Sequence, residues 1–244
     1  MNLKARFYLV PKTFLTILFS EDFKSASRFV SDYRFLRKNI EKRLANIKEK
    51  FNIDNPGIAF QKYLDIDRWL YESMKRVYFL GLNKSNNKKS ILDLGTGAGY
   101  FPFVCTYYGH RAEALDVPDN EMYNQIIREL GINRYTQSIK AYRELDVNNQ
   151  YDLVTGFMIC FNNHKTPNVW HIKEWDYFLK ALSKKNLKPD GKIFLSFNPE
   201  TEEEPVDKDL LNFFLLHHGD VKDTEVFFRR EDFLTRSSEV PVNS

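Results

Sequence analysis

The sequence predicts an α/β protein in which a parallel sheet is wrapped on both faces by helices and preceded by a helical extension. Three observations carry this. From residue 91 onward, short apolar runs alternate with helical segments in the order ILDL, FPFVCTYYG, AEALDV, EMYNQIIRELG, YDLVTGFM, EWDYFLKALSKKNL, KIFLSFN, the strand-helix alternation of a parallel sheet. Residues 21 to 51 hold no Gly or Pro, and apolar residues recur there at Phe29, Tyr33, Leu36, Ile40, Leu44, Ile47 and Phe51, three or four apart, the spacing of an amphipathic helix. Between these regions NKSNNKKS (83 to 90) is uniformly polar and reads as a linker.

Taken in order, residues 1–85 form a helical N-terminal extension and residues 86–244 a separate α/β domain. NPG (55 to 57) closes the first long helix, and a second is expected from about Phe60 to Leu80, ending at Gly81, a helix-terminating residue. RFYLVPKTFLTILF (6 to 19) has a basic start but is interrupted by Pro11 and Lys12 and lacks a small-residue cleavage site, so it does not read as a secretory signal. No uncharged apolar run reaches the roughly 18 residues of a membrane-spanning helix. With 43% hydrophobic residues in 244, the chain can bury a sizeable core. Two cysteines without metal-ligand spacing fit free thiols in a reducing cytoplasm and no zinc site. The net charge of +3 conceals an asymmetry. Residues 1–90 carry 19 Lys and Arg against 9 Asp and Glu, and the remainder 17 against 24. The basic front is either a solvated helical face or a contact for an anionic partner, which would make the protein cytoplasmic with peripheral membrane contact as the alternative.

Chemistry concentrates in ILDLGTGAGY (91 to 100). Ile91 to Leu94 reads as a buried strand, and Gly95-Thr96-Gly97-Ala98-Gly99 turns into a helix starting near Tyr100. Glycine there permits positive φ and lets a ligand touch the main chain, while the helix start offers free N–H groups. A nucleotide-like ligand is implied. The dinucleotide pattern G-x-G-x-x-G fails because its last position is Tyr100, and the P-loop pattern fails because no Gly-Lys-Ser/Thr follows. Asp116 stands at the carboxyl end of AEALDV, where a carboxylate can accept both hydroxyls of an adenosine ribose or simply cap a turn before Pro118. Asp93 sits inside an apolar strand and needs a partner, because an unpaired buried charge is costly.

ILDLGTGAG, followed by ALDV, YDLVTGFM and LKPDGKIFLSF, resembles the class I S-adenosylmethionine-dependent methyltransferases over roughly Ser90 to Arg229. The resemblance implies a Rossmann-like seven-stranded sheet whose last strand, Glu225 to Arg229, runs antiparallel. It implies that Gly95, Thr96, Gly97, Gly99 and Tyr100 surround the methionyl part of S-adenosyl-L-methionine, that Asp93 helps hold its amino end, and that Asp116 binds the ribose. Gly156, Phe157 and Met158, just past the fourth strand, would line the space around the sulfonium. Many members place an acidic residue after the third strand to meet adenine. This chain has SIKAYREL (138 to 145) there, so adenine contacts are expected from backbone near Ile139 to Ala141 and from Val117.

Methyl transfer depends on positioning, with a base required only where the acceptor must lose a proton. CFNNHKTPNVWHIKEW (160 to 175) follows the fourth strand and is the expected substrate loop. His164 is the candidate base, since imidazole titrates near neutral pH, with His171 as the alternative. Phe161, Asn162 and Asn163 are candidates to line the acceptor pocket. Trp170 and Trp175 read as core anchors, and His217 and His218 as cations at a helix terminus. No DPPY or NPPY stretch of the base-amino-methylating enzymes is present, and Cys160 lacks the adjacent proline of cytosine C5 enzymes. O-methylation of a small molecule, sugar or glycan is therefore the first expectation. The alternatives are an RNA methyltransferase, or a basic helical module that docks on membrane or RNA and carries a cofactor-binding domain.

Overall fold

The computed structural model describes residues 23–51, 61–84, 86–159, 169–198 and 206–234. The chain divides into two compact units, Met1–Arg76 and Val77–Ser244.

In the first unit, α1 (Phe23–Lys50) follows its three-to-four periodicity and buries Phe29, Leu36, Ile40, Leu44 and Ile47. The expected single helix from about Phe60 to Leu80 is instead a 3₁₀ turn, Gln61–Leu64, followed by α2, Ile66–Phe79. Asp65 makes the break. Its carboxylate accepts from Arg68 N at 3.1 Å and its carbonyl from Trp69 N at 3.1 Å, the bonding of an N-cap. Asp67 accepts from Tyr33 Oη at 2.7 Å and from the Arg37 guanidinium at 2.5 and 3.3 Å, while Phe29 meets Tyr71 edge-on. These pairs set α1 and α2 antiparallel.

The second unit contains a seven-stranded sheet: β1 (Ser90–Leu94), β2 (Arg111–Asp116), β3 (Asn133–Thr136), β4 (Tyr151–Ile159), β5 (Leu187–Phe197), β6 (Asp220–Lys222) and β7 (Glu225–Arg229). Their order across the sheet is β3-β2-β1-β4-β5-β7-β6. β1 to β5 pair in parallel, and β7 pairs antiparallel with both β5 and β6. The order reverses between β1 and β4, so ligands are expected beyond the carboxyl ends of those strands. α3 (Tyr100–Tyr107), α4 (Glu121–Leu130), α5 (Ile172–Ala181) and α6 (Lys208–Leu216) complete the unit.

Two expectations about this unit are corrected. β4 runs to Ile159, so Gly156, Phe157 and Met158 lie within the strand and not past it. The cause is the long partner β5, which keeps pairing up to Ile159↔Phe197 across an irregularity. β5 itself begins at Leu187, because LKPDG is held as a bulged stretch beside Tyr151. A Cβ on Gly191 would lie 2.9 Å from the Lys188 and Tyr151 carbonyls, so glycine is required where the backbones close up. β3 and β6, absent from the apolar pattern, are short edge strands with half-exposed side chains.

The core is aromatic. Trp175, fully buried, meets Trp170, Phe178, Phe197 and Phe214 edge-on, the geometry ring quadrupoles favour. His110, also buried, accepts from Lys89 N at Nδ1 (3.1 Å) and donates from Nε2 to the Leu82 carbonyl (2.7 Å), pinning the polar connection to the start of β2. His217, the residue ending α6, stacks on Phe233 and contacts the Asp232 carbonyl.

Candidate functional site

The loop after β1 is built from three left-handed residues, Gly95 (φ 64°), Gly97 (φ 59°) and Gly99 (φ 77°), a conformation glycine adopts without steric cost. Gly95 N donates back to the Leu115 carbonyl at 2.8 Å, folding the loop over the end of β2. Gly99 precedes the first residue of α3, Tyr100. A Cβ on Gly99 would stand 3.0 Å from Ile127 Cγ1, whereas one on Gly95 would meet nothing within 4 Å. Gly99 is thus fixed by packing against α4, and the open space lies at Gly95.

Two carboxylates hold this loop. Asp93, 3% exposed, accepts from Thr96 Oγ1 at 2.7 Å on one oxygen and from Thr155 Oγ1 at 2.7 Å on the other. These hydroxyls are the partners its burial demands, and Thr155 reaches it from β4 across the strand-order reversal. The Asp93 charge, after burial itself, pushes up the thiol of buried Cys105 in α3. Asp116, half-buried at the end of β2, accepts from Gly97 N at 2.6 Å and from Val117 N at 2.8 Å. Burial raises its carboxyl above the usual aspartate value, opposed by those two N–H donors and by the charge of Arg134.

The remaining sequence-predicted residues distribute as follows. Phe157 contacts Phe101 at 4.8 Å and Phe194 at 5.4 Å. Met158 takes a left-handed φ of 59°, is exposed, and its carbonyl accepts from Asn198 Nδ2 at 3.1 Å. Gly156 is buried, Val117 is exposed, and Ile139 and Ala141 pack partly buried against the core. Phe161, Asn162, Asn163 and His164 lie outside the described residues, as does Cys160. His171 is exposed and stands at the N-terminus of α5, where its N–H donates to the Glu174 carboxylate at 2.9 Å. That same carboxylate accepts from Tyr142 Oη at 2.5 Å, which with the His171 contacts holds it below the usual range. Thr155, Arg134, Tyr142 and Glu174 were not singled out from the sequence. Only Thr155, a hydroxyl inside an apolar strand, carried a signal there.

A seven-stranded sheet with an antiparallel β7, a left-handed glycine loop after β1 and a carboxylate ending β2 is a specific combination. This is the sheet that the resemblance to the class I S-adenosylmethionine-dependent methyltransferases implies. No family model and no curated protein sequence matches the chain. Solved structures are similar to parts of this chain. One is an S-adenosylmethionine-bound amino pentose methyltransferase from Micromonospora echinaspora, with 19% identity and a TM-score of 0.44 over 63% of this chain and 62% of that one. Another, a protein from Pyrococcus horikoshii OT3, has 21% identity and a TM-score of 0.43 over 57% and 59% of the two chains. The magnesium protoporphyrin IX methyltransferase from Synechocystis PCC 6803 has 14% identity and a TM-score of 0.47 over 82% and 97%. The chain spans between 50% and 62% of the length of the first three such structures. Among the described residues, no helix is long and apolar enough to cross a membrane.

Proposed function

We propose that this protein transfers the methyl group of S-adenosyl-L-methionine to an oxygen of a small molecule, sugar or glycan. The observation that carries the reading is the contact between Asp116, at the end of β2, and the glycine loop that follows β1, the strand beside the order reversal. It joins open main chain to an anionic acceptor, the two features an amino-acid-bearing nucleoside needs. The residues present fit that group: the space at Gly95 is free of side chains, and the carboxylate ending β2 suits a ribose diol.

When bound, the cofactor supplies an electrophilic methyl on a sulfonium. The chain's own residues do the rest. Gly95 and Gly97 offer main chain to the methionyl portion, and Asp93, fixed by Thr96 and Thr155, sets a negative field for its amino end. Asp116 takes the ribose hydroxyls, and Phe157 and Met158 give the sulfonium region an apolar wall that limits water. A hydroxyl acceptor must lose its proton as the methyl arrives. His164 is the proposed base, and His171, on the same connection between β4 and α5, is the alternative. Calorimetry with S-adenosylhomocysteine and with NAD tests the cofactor, with binding of the first alone expected. A labelled-donor assay on fractionated extract then identifies the acceptor.

One observation favours a second reading. α1 exposes Arg34, Lys38 and Lys42 at four-residue intervals, beside Phe35 at 59% exposure, a basic face with an apolar neighbour suited to an anionic surface. Co-sedimentation of the full chain with anionic vesicles and with RNA, repeated after charge reversal of the three basic residues, separates a docking module or an RNA methyltransferase from a small-molecule enzyme.

A further inference from the structure

Arg134 is a cation on the edge strand β3, in register with Ala114 of β2, two positions before Asp116. Its Nη2 donates to Asn124 Oδ1 at 2.6 Å, and Asn124 Nδ2 in turn donates to the Pro118 carbonyl at 3.0 Å. The guanidinium is thereby tied through α4 to the turn that follows Asp116. Its Nη1 is buried and has no hydrogen-bond partner among the described residues. A buried guanidinium nitrogen left unpaired is costly unless a nearby anion compensates it.

The groups acting on Asp116 come from every side of it. The glycine loop supplies Gly97 N–H, the following turn supplies Val117 N–H and the repelling charge of Asp119, and β3 supplies Arg134. Arg134 is the sole cation among them. We propose that Arg134 is a positioning residue for cofactor recognition, its guanidinium keeping the Asp116 carboxylate ionised and directed at the glycine loop while itself acting only through Asp116. The proposal rests on the reading of Asp116 as the ribose acceptor. Its chemical reason is that a diol is held by a carboxylate, which accepts from both hydroxyls, and only half as well by a carboxylic acid, which keeps one proton of its own.

The test is the pH dependence of S-adenosylhomocysteine binding, measured by calorimetry from about pH 5 to about pH 8 so as to span the range above an ordinary aspartate. Arg134→Gln retains an amide donor for Asn124 but removes the charge, Arg134→Met removes both, and Arg134→Lys restores the charge. The wild type is expected to lose affinity as Asp116 takes up its proton. Arg134→Gln and Arg134→Met should raise the midpoint of that loss by about one pH unit, so that below it they bind about tenfold more weakly than the wild type, with near-equal affinity at the alkaline end. Arg134→Lys should return the midpoint toward the wild type, a rescue that a tie to Asn124 alone does not explain. A wild-type profile in Arg134→Gln overturns the proposal, because the charge is then without effect. Equal weakening of Arg134→Gln at every pH also overturns it, because the residue then serves packing alone. If Arg134→Met fails to fold, Arg134→Gln and Arg134→Lys still decide the matter. Failure of the wild type to bind S-adenosylhomocysteine at any pH is a different result, which removes the cofactor reading itself.

Discussion

Gly97 donates its N–H to the Asp116 carboxylate across 2.6 Å, so the middle of the glycine loop and the end of β2 are one hydrogen-bonded unit. Gly97 holds this position at a φ of 59°, a region that β-branched residues rarely enter. Gly97→Val should therefore cost about 1–2 kcal/mol in backbone strain and place a branched side chain where the methionyl portion is proposed to lie. The expected result is loss of S-adenosylhomocysteine binding in a chain that still folds. Unchanged affinity by calorimetry would sink the cofactor reading of the loop.

Asp116→Ala removes the proposed ribose acceptor while leaving the strand. Binding should weaken by roughly 10- to 100-fold, in keeping with about 1.5–3 kcal/mol for hydrogen bonds to a charged group. The melting temperature should move little, since the residue is half-buried at a strand end. A collapse of the melting temperature with unchanged binding would make Asp116 a structural cap instead.

The raised carboxyl of Asp116 should give stability and the proposed ribose binding opposite dependences on pH. Burial lifts it above the ordinary value of 3.8, so the folded protein holds this proton more tightly than the unfolded chain. Its contribution to stability is complete below the unfolded value and is lost as pH rises through the higher folded one. The proposed ribose binding requires the ionised form and so should strengthen over the same interval. Thermal melts and calorimetry on wild type and Asp116→Ala should show both trends in the first protein and neither in the second.

Thr155→Val deletes one of the two hydroxyls that satisfy buried Asp93. The expected penalty is about 1.5–3 kcal/mol of stability, read as a lower denaturation midpoint in urea. Thr155→Ser, which keeps a hydroxyl, should recover most of it. Equal stability of the valine and serine variants would show that Asp93 is held by other means.

His164→Ala should lower turnover by about 10²–10⁴-fold if the acceptor is a hydroxyl deprotonated in step with transfer, with cofactor affinity nearly intact. His171→Ala is the matched variant. Its backbone bond to Glu174 does not depend on the imidazole, so the helix start survives the change and any large loss reports the ring. Whichever variant loses turnover also loses a rate dependence near the imidazole value of about 6.5.

Legibility in the sequence followed burial. β1, β2 and β4 are central strands, covered on both faces, and read as continuous apolar runs. β3 pairs only with β2, and its side chains Asn133 and Thr136 are exposed, so INRYT carries no periodic signal. The start of β5 was hidden because Pro189 and Gly191 read locally as a turn, whereas pairing with β4 absorbs them in a bulge. In the site, the glycines and the two aspartates were visible because each violates the pattern of its own strand or loop. Arg134 was not, and Thr155 showed only as a hydroxyl inside an apolar strand, since the meaning of both depends on which strands become neighbours, and that is a property of topology.

The hydroxyl of Thr155 that meets Asp93 lies 62 residues further along the chain, and this bears on the order of folding. Until β4 docks, Asp93 has one hydroxyl partner instead of two, so sealing β1 into an apolar interior carries a desolvation cost that only the later strand relieves. The centre of the sheet cannot close around its first strand during synthesis until residue 155 has left the ribosome. Contacts of such long sequence separation slow collapse to the native state. Until then Asp93 reaches the nascent glycine loop through Thr96, while Gly95 and Gly97 are already able to bond to the end of β2.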